Sequence, residues 1–270
     1  AFLWSKLTGQ MLTRQSAAHG LAVGAGLPNY PWWFGIDTEY AVLPMLQAGL
    51  FALTKSTLRL LKSVSEAHNP TEPGRVIHEL STTGVVYNPG NLVETPAFTR
   101  AVYQTWCWTG DRAFLEEMYP FCKTGILEYT LNRCDPDGDL CPAGRSIIET
   151  LEMHADFECI DIASYTWEAL TFLAAMARVV GDSATATVAT AKAETLAARL
   201  RDEWWLADEG LFADVRASVQ TVTAALQRID GLESDPGWQW MKPQARQAHR
   251  LFDEQVRARA AGPQEVDLPW

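Results

Sequence analysis

Five carboxylates crowd a stretch of thirteen residues: Glu149, Glu152, Asp156, Glu158 and Asp161. Carboxylates at this density are unfavourable unless cations, hydroxyl groups or a helix N-terminus satisfy them. Glu149 follows two isoleucines, and an apolar setting raises the pKa of a carboxyl group towards the range of a general acid. Asp161 fits the first turn or the N-cap of the following helix equally well. The stretch therefore predicts acid–base chemistry, with Glu149 as a candidate acid.

A second polar cluster lies in the segment GRVIHELSTTGVVYNPGNLVETPAF, residues 74–98, and consists of Arg75, His78, Glu79, Asn91 and Glu94. A histidine beside a glutamate suggests a metal site, but the motif H-E-x-x-H would need a histidine where the chain has Thr82. We therefore predict that these residues bind a ligand other than a metal. Arg75 and Arg145 are the cations that could hold neighbouring carboxylates or sugar hydroxyls.

The segment YPWWFGIDTEY, residues 30–40, places Trp32 and Trp33 just ahead of Asp37. In one interpretation the indoles fix the chain entry and Asp37 caps a helix. In the other, the indoles form the floor of a sugar site and Asp37 binds hydroxyls. Paired carboxylates with indoles fit glycoside hydrolysis, which needs one acid and one base or nucleophile.

Other chemistries have little support in the sequence. It contains no P-loop, no G-x-G-x-x-G and no G-x-S-x-G. The acidic segment DPDGDL, residues 135–140, has its glycine at the wrong place for an EF-hand calcium loop and is typical of a solvated turn. We therefore expect neither a cofactor nor a metal.

The overall charge argues against several partners. The formal net charge is −11, and the basic residues are scattered. Nucleic acids and anionic membranes attract positive patches, so neither is expected as a partner, and no apolar run is long enough to span a membrane. The five cysteines form no C-x-x-C pair, which favours free thiols and a reducing compartment such as the cytoplasm.

Helical periodicity dominates the chain and predicts an all-α fold of eight or nine helices in a single domain, residues 1–270. The first predicted helix begins at residue 2 and is stopped by Gly20. Further predicted helices begin near residues 37, 51, 94, 111, 161 and 183, and a polar helix lies near residues 244–262. Pro120 should kink or split the fifth helix. Glycine joints, including Gly110-Asp111 and Gly181-Asp182, connect helices into hairpins. Long loops over residues 21–36, 70–91 and 134–157 precede every second helix, so in a ring of hairpins these loops would meet on one face.

The motifs PWWFGIDTEYAV, GRVIHELSTTGVVYNPGNLVETPAF, WTGDRAFLEEMYP, DPDGDLCPAGRSIIE and ECIDIASYTWEAL resemble the six-hairpin glycosidases. Within that group they look most like glycogen-debranching, amylo-α-1,6-glucosidase-like proteins. The resemblance covers residues 28–215 and implies an (α/α)6 toroid that cleaves an α-glucosidic bond with inversion. By position the general acid would be Glu149, with Glu152 as the alternative. The implied substrate-binding residues are Trp32, Trp33, Asp37, Arg75, His78, Glu79, Asn91, Glu94, Asp156, Glu158, Asp161 and Tyr165.

The sequence departs from the family pattern because its helices are too few for six hairpins. We expect an incomplete toroid, with the catalytic base outside these 270 residues, although Glu265 and Asp267 could substitute for it. Two other functions stay open. One is a sugar epimerase or isomerase that moves protons with His78 and His154, and the other is a carbohydrate-binding helical module without catalysis.

Overall fold

Helical hairpins follow one another in the computed structural model, which describes residues 2–16, 20–146, 157–207, 210–218 and 265–268, together with residue 227. After a first helix, α1 (Phe2–Leu12), come three hairpins. They are α2 (Gly35–Gln47) with α3 (Phe51–His68), α4 (Glu94–Thr109) with α5 (Arg112–Thr124), and α6 (Ile160–Val180) with α7 (Ser183–Asp202). No described helix combines the length and the apolar character that a membrane crossing requires.

The joints inside the second and third hairpins confirm the sequence prediction. Gly110 and Gly181 end α4 and α6 with φ angles of 63° and 86°, a left-handed conformation that glycine adopts without steric cost. Asp111 then caps α5 by accepting the N–H of Phe114 at 3.0 Å, and Asp182 caps α7 by accepting the N–H of Thr185 at 3.1 Å. The cap residues therefore fix where one helix stops and the next begins.

The helices form two rows, as the alternation of short joints and long loops predicted. Helix α2 packs on α4 and α4 packs on α6, whereas α3 contacts α5 on the other side of this row. Apolar residues of both rows fill the space between them, including Leu61, Phe98, Phe114, Met118, Leu170 and Leu173. The long loops therefore all lead into helices of the same row.

Short antiparallel strands tie the loops together. Strands β1 (Thr13–Ser16) and β2 (Gly20–Val23) form a hairpin. Strands β3 (Trp33–Phe34), β4 (Glu79–Leu80) and β5 (Val86–Asn88) form a sheet in that order, with Trp33 opposite Leu80. The remaining strands are β6 (Glu158–Cys159), β7 (Trp205–Leu206), β8 (Leu211–Phe212), β9 (Val215–Ser218) and β10 (Glu265–Leu268), which pair as β10-β9-β6 and β7-β8. An all-α description therefore holds for the packed layers but not for the loops.

Two predicted helices differ from the observed ones. The first ends at Leu12 instead of running to residue 20, because the next residues form the β1–β2 hairpin. Ala22 is fully buried, and the N–H of Val23 donates to Thr57 Oγ1 of α3 at 3.2 Å, so tertiary packing outweighs helical propensity there. The fifth runs through Pro120 without a break and changes at Gly125 into a π-helical segment, Gly125–Arg133.

The number of described helices is lower than predicted, and the extent of the domain stays a prediction. The described residues form seven α-helices, fewer than the eight or nine that we predicted. The helix predicted near residues 244–262 lies outside the described residues. That residues 1–270 form a single domain stays a prediction.

Candidate active site

The loops that precede α2, α4 and α6 are joined by hydrogen bonds. The N–H of Gly35 donates to the carbonyl of His78 at 2.8 Å, and the N–H of Leu92 donates to the carbonyl of Arg145 at 2.9 Å. Because Gly35 begins α2, Leu92 precedes α4 and Arg145 lies in the loop before α6, the beginnings of three helices of one row are linked. This is the convergence on one face that the loop spacing predicted.

A buried histidine–carboxylate pair lies at this face. Nδ1 of His78 is 2.7 Å from Oε1 of Glu94, and the Asn91 amide nitrogen is 3.4 Å from the same oxygen. All three residues are buried, and Glu94 has no exposed surface. Among the residues that the structure describes, Oε2 of Glu94 has no hydrogen-bond partner. The structure thus brings together three of the predicted site residues, which form what we call the His78 recess.

The backbone around the His78 recess is closely packed. His78 is held between two loops, since its N–H donates to the carbonyl of Asn88 at 3.1 Å and its carbonyl accepts from Gly35. A Cβ atom on Gly35 would lie 2.8 Å from Cγ of Glu94 and would also clash with the carbonyl oxygen of Ile77. Only glycine lets the start of α2 approach the recess this closely.

We expect Gly35→Ala to destabilise the protein by about 1–3 kcal/mol, the usual cost of overpacking a filled interior. Denaturant unfolding followed by circular dichroism would measure the loss. Gly9→Ala is the matched control, because a Cβ there meets only Cδ1 of Leu50 at 3.4 Å and alanine favours the helix α1. Equal stability of the two variants would contradict the steric argument.

Three aromatic rings are stacked next to the recess. The Trp32 ring stacks on Tyr87, at 4.8 Å and 5° between planes, and is nearly parallel to Phe34, at 6.4 Å and 19°. Phe34 then meets the His78 ring edge to face at 5.5 Å. We call Tyr87, Trp32 and Phe34 the aromatic stack. The stack extends from the exposed ring of Tyr87 to the buried ring of His78.

The prediction that both indoles face a sugar is wrong for Trp33. Trp33 is fully buried in the core, since neighbouring side chains of an extended segment point to opposite sides. Trp32 is half-buried and lies nearly parallel to the rings of Tyr87 and Phe34, and its role in sugar binding stays a prediction. The ring of the stack that faces solvent is Tyr87, which is 60% exposed. Sequence reasoning missed Tyr87, although it lies in the same segment as His78.

The two first-turn acids of the row differ in their surroundings. Asp37 is exposed in the first turn of α2, and the N-cap is Phe34 without a side-chain hydrogen bond, so the prediction that Asp37 caps the helix is wrong. Asp161 lies in the first turn of α6, where it accepts hydrogen bonds from the Ser146 hydroxyl and from the N–H of Ile162.

Arg75 contacts other groups of the protein, and the predicted site residues Glu79 and Glu158 lie in short strands. The Arg75 guanidinium donates to the carbonyl of Gly90 and pairs with Glu72 at 2.5 Å, so it fastens the loop before α4. Glu79 lies in β4 opposite Phe34, and Glu158 lies in β6 opposite Arg216. The roles of Arg75, Glu79 and Glu158 in substrate binding stay predictions.

Tyr165 contacts Tyr40 of α2 and Arg100 of α4, and its role in substrate binding stays a prediction. Its hydroxyl contacts that of Tyr40, and the Arg100 guanidinium lies 5.1 Å from its ring and 5.2 Å from the ring of Tyr40. A cavity of about 440 Å³ adjoins these groups. It is lined by Arg100, Ile160, Tyr165, Trp167, Glu168 and Phe212, among others.

The acidic segment 135–140 folds as the turn that its sequence predicted. The Asp135 carboxylate accepts the N–H groups of Gly138, Asp139 and Leu140 at 2.9–3.1 Å. Arg199 pairs with Asp139 at 2.6 Å. These carboxylates are therefore already engaged by protein groups, although Asp135, Asp137 and Asp139 lie close enough together to hold an ion.

Glu39 is a buried acid that the sequence analysis missed. It is 1% exposed, and neither of its carboxyl oxygens has a hydrogen-bond partner among the described residues. Burial raises the pKa of Glu39 well above its usual value; Glu94 and Asp37 add to this rise, and Arg100 opposes it. A signal was present, because Glu39 falls on the buried stripe of α2 with Gly35, Val42 and Leu46.

The predicted acids Glu149 and Glu152, together with His154 and Asp156, lie outside the described residues. The structure therefore neither places them at the His78 recess nor removes them from it. Their roles stay predictions.

Comparison with known proteins bears on the same segment. The model of the mannosylglycerate hydrolase MGH1-like glycoside hydrolase domain matches residues 146–261. Among solved structures, the GH78 family rhamnosidase of Bacillus sp. GL1 matches 85% of this chain with a TM-score of 0.54 and 17% identity. A rhamnosidase from Klebsiella oxytoca with rhamnose bound matches 84% with a TM-score of 0.52 and 12% identity. The chain therefore shares its fold with part of these rhamnosidases.

The extent of these matches limits what they establish. The chain spans 27% of the Bacillus rhamnosidase and 48% of the Klebsiella one, so it corresponds to part of an (α/α)6 domain, which agrees with the predicted incomplete toroid. At these identities the likeness concerns the fold alone. The comparison with curated proteins gave no match. The narrower resemblance to glycogen-debranching proteins stays a prediction.

Proposed function

We propose that the protein is an inverting glycoside hydrolase that cleaves an α-glucosidic bond and holds the sugar at the His78 recess. The observation that carries this proposal is the convergence of His78, Asn91 and Glu94 at the linked beginnings of three helices. Support also comes from the glycoside hydrolase model, since it matches the segment that contains Glu149 and Glu152.

The proposed roles follow from the chemistry of each group. Glu94 has an oxygen without a partner among the described residues, so it can accept a hydrogen bond from a sugar hydroxyl. His78 fixes the orientation of Glu94 through its 2.7 Å contact. Glu149 would protonate the leaving oxygen, while a second carboxylate, about 6.5–9.5 Å from it, activates water on the opposite side of the sugar. Asp37 and Asp161, as first-turn acids, would bind further hydroxyls.

The test is hydrolysis of a substrate panel by the purified protein in a form that extends beyond these 270 residues, because the catalytic base is expected outside them. The panel contains maltose, isomaltose, mannosylglycerate and an aryl α-rhamnoside, because the last two represent the substrates that the names of the similar proteins suggest. We expect glucose from an α-glucoside, and ¹H NMR during the first minutes should show the β-anomer, since inversion of an α-bond gives a β-product.

Each other result has a defined meaning. Release of the α-anomer first would contradict inversion. Release of only mannose or rhamnose would keep the hydrolase and overturn the glucoside assignment. A change of sugar configuration with the glycosidic bond intact would favour the epimerase alternative. Binding without any turnover would favour the carbohydrate-binding module.

A further inference from the structure

Tyr87 presents an open aromatic face beside the His78 recess. One face of its ring is covered by Trp32 at 4.8 Å in a nearly parallel stack, and the residue is 60% exposed. It lies in β5, whose next residue, Asn88, accepts the N–H of His78. The ring is therefore anchored from behind and open in front, and the same short sheet holds it and the recess.

The rest of the aromatic stack fixes where this face points. Phe34 lies nearly parallel to Trp32, with 6.4 Å between the ring centroids, and is itself 6% exposed, so the stack rests on buried structure. Phe34 also contacts the His78 ring at 5.5 Å. The rings of Trp32 and Phe34 therefore link Tyr87 to His78 and support its position next to the recess.

A ring held in this way suits one class of ligand. The face of an aromatic ring carries partial negative charge, and it attracts the C–H groups along one side of a pyranose. Stacking needs no charge on the ligand, so it does not require a cluster of basic residues, and the basic residues of this chain are scattered. The phenol of Tyr87 adds a hydrogen-bonding group at the edge of the platform.

We propose that the open face of Tyr87 binds a second pyranose ring, next to the sugar that the His78 recess holds. The preferred substrate is then an oligosaccharide, in which the leaving group is itself a sugar, instead of a glycoside of a small acid or alcohol. This inference rests on the proposed function for the identity of the recess, but the binding at Tyr87 can be measured by itself.

The experiment compares Tyr87→Leu and Tyr87→Phe with the unchanged protein. Isothermal titration calorimetry measures the Kd of glucose, maltose, maltotriose and isomaltotriose in a Glu149→Gln background, and kcat/KM is measured for the same sugars without that change. Trp108→Leu is the matched control, because Trp108 is 48% exposed near the other end of α4. Thermal melting verifies that each variant is folded.

We expect Tyr87→Leu to weaken trisaccharide binding about tenfold, the scale of one stacking contact, and to leave glucose binding unchanged. Tyr87→Phe keeps the ring, so its Kd values should stay close to those of the unchanged protein, as should those of Trp108→Leu. Unchanged trisaccharide affinity in Tyr87→Leu would overturn the platform, as would an equal loss for glucose and trisaccharide.

The two proposals fail in different ways. If the length-dependent affinity disappears with Tyr87 but no sugar is hydrolysed, the platform holds and the hydrolase does not. If sugars are hydrolysed and Tyr87→Leu leaves the dependence on chain length intact, the hydrolase holds and the platform does not. Failure of the unchanged protein to bind any of the four sugars overturns the platform as a site for gluco-oligosaccharides.

Discussion

Glu149→Gln is expected to lower kcat/KM for the glycoside substrate by about 10²–10⁴-fold, the usual contribution of a general acid. The amide has nearly the size of the carboxyl group but cannot supply a proton to the leaving oxygen. Folding should be preserved, so the melting temperature of the variant should stay close to that of the unchanged protein. Steady-state kinetics on the best substrate of the panel measures the effect.

A substrate whose leaving group needs no protonation distinguishes a general acid from a residue that only binds the sugar. The leaving group of glucosyl fluoride is fluoride, which departs as an anion without being protonated. Glu149→Gln should therefore lose much less activity on this substrate than on a disaccharide. Glu152→Gln is the matched control and should retain most activity on both. If Glu152→Gln shows the large, leaving-group-dependent loss instead, Glu152 is the acid. If neither variant does, both residues are excluded.

The parts of the fold that could be predicted depend on local interactions. The joints at Gly110-Asp111 and Gly181-Asp182 are readable because a left-handed glycine and a capping aspartate act within a few residues of each other. The meeting of the long loops followed from the alternation of joints along the chain. The end of α1 at Leu12 did not, because it depends on the contact of β2 with α3.

The site was predictable as a set of residues but not in its geometry. His78, Asn91 and Glu94 come together because they belong to one loop that feeds one helix. The role of Trp33 was misassigned, since the short strand β3 turns it into the core, and sequence gave no sign that Tyr87 would cover Trp32. The contact of Arg75 with the carbonyl of Gly90 was not readable from sequence, because an arginine in a loop is as well suited to hold backbone carbonyls as substrate hydroxyls.

Glu39→Gln is expected to stabilise the protein increasingly as the pH rises above about 4.3, the ordinary pKa of glutamate. Burial raises the pKa of Glu39 in the folded state, with Glu94 and Asp37 acting in the same direction. Above the ordinary pKa, the unfolded chain releases the proton while the folded protein retains it. The stability contributed by this group is therefore complete at low pH and is lost as the pH approaches the folded-state pKa, with a slope of up to about 1.4 kcal/mol per pH unit.

Glutamine removes this slope because it resembles the protonated acid and cannot ionise. The quantity to measure is the difference in unfolding free energy between the variant and the unchanged protein at several pH values from 4 to 9, since contributions from other groups then cancel. Glu117→Gln is a control of opposite sign. The hydrogen bond from Arg59 lowers the pKa of Glu117, so that pair stabilises the protein at neutral pH and weakens as the pH falls. Its effect should be small, because both side chains are more than 40% exposed.

The expected difference for Glu39 follows from what surrounds its carboxyl group. Glu94 and Asp37 would repel a second negative charge, and Arg100, whose guanidinium lies over the rings of Tyr40 and Tyr165 and near Glu168, is the cation that opposes them. If Arg100 dominated, Glu39 would be ionised at neutral pH and Glu39→Gln would destabilise the protein by an amount that does not shrink as the pH rises. That result would contradict the raised pKa. A stability gain that grows with pH would instead show that the Glu39 carboxyl group stays neutral in the folded protein, within the electrostatic influence of Glu94.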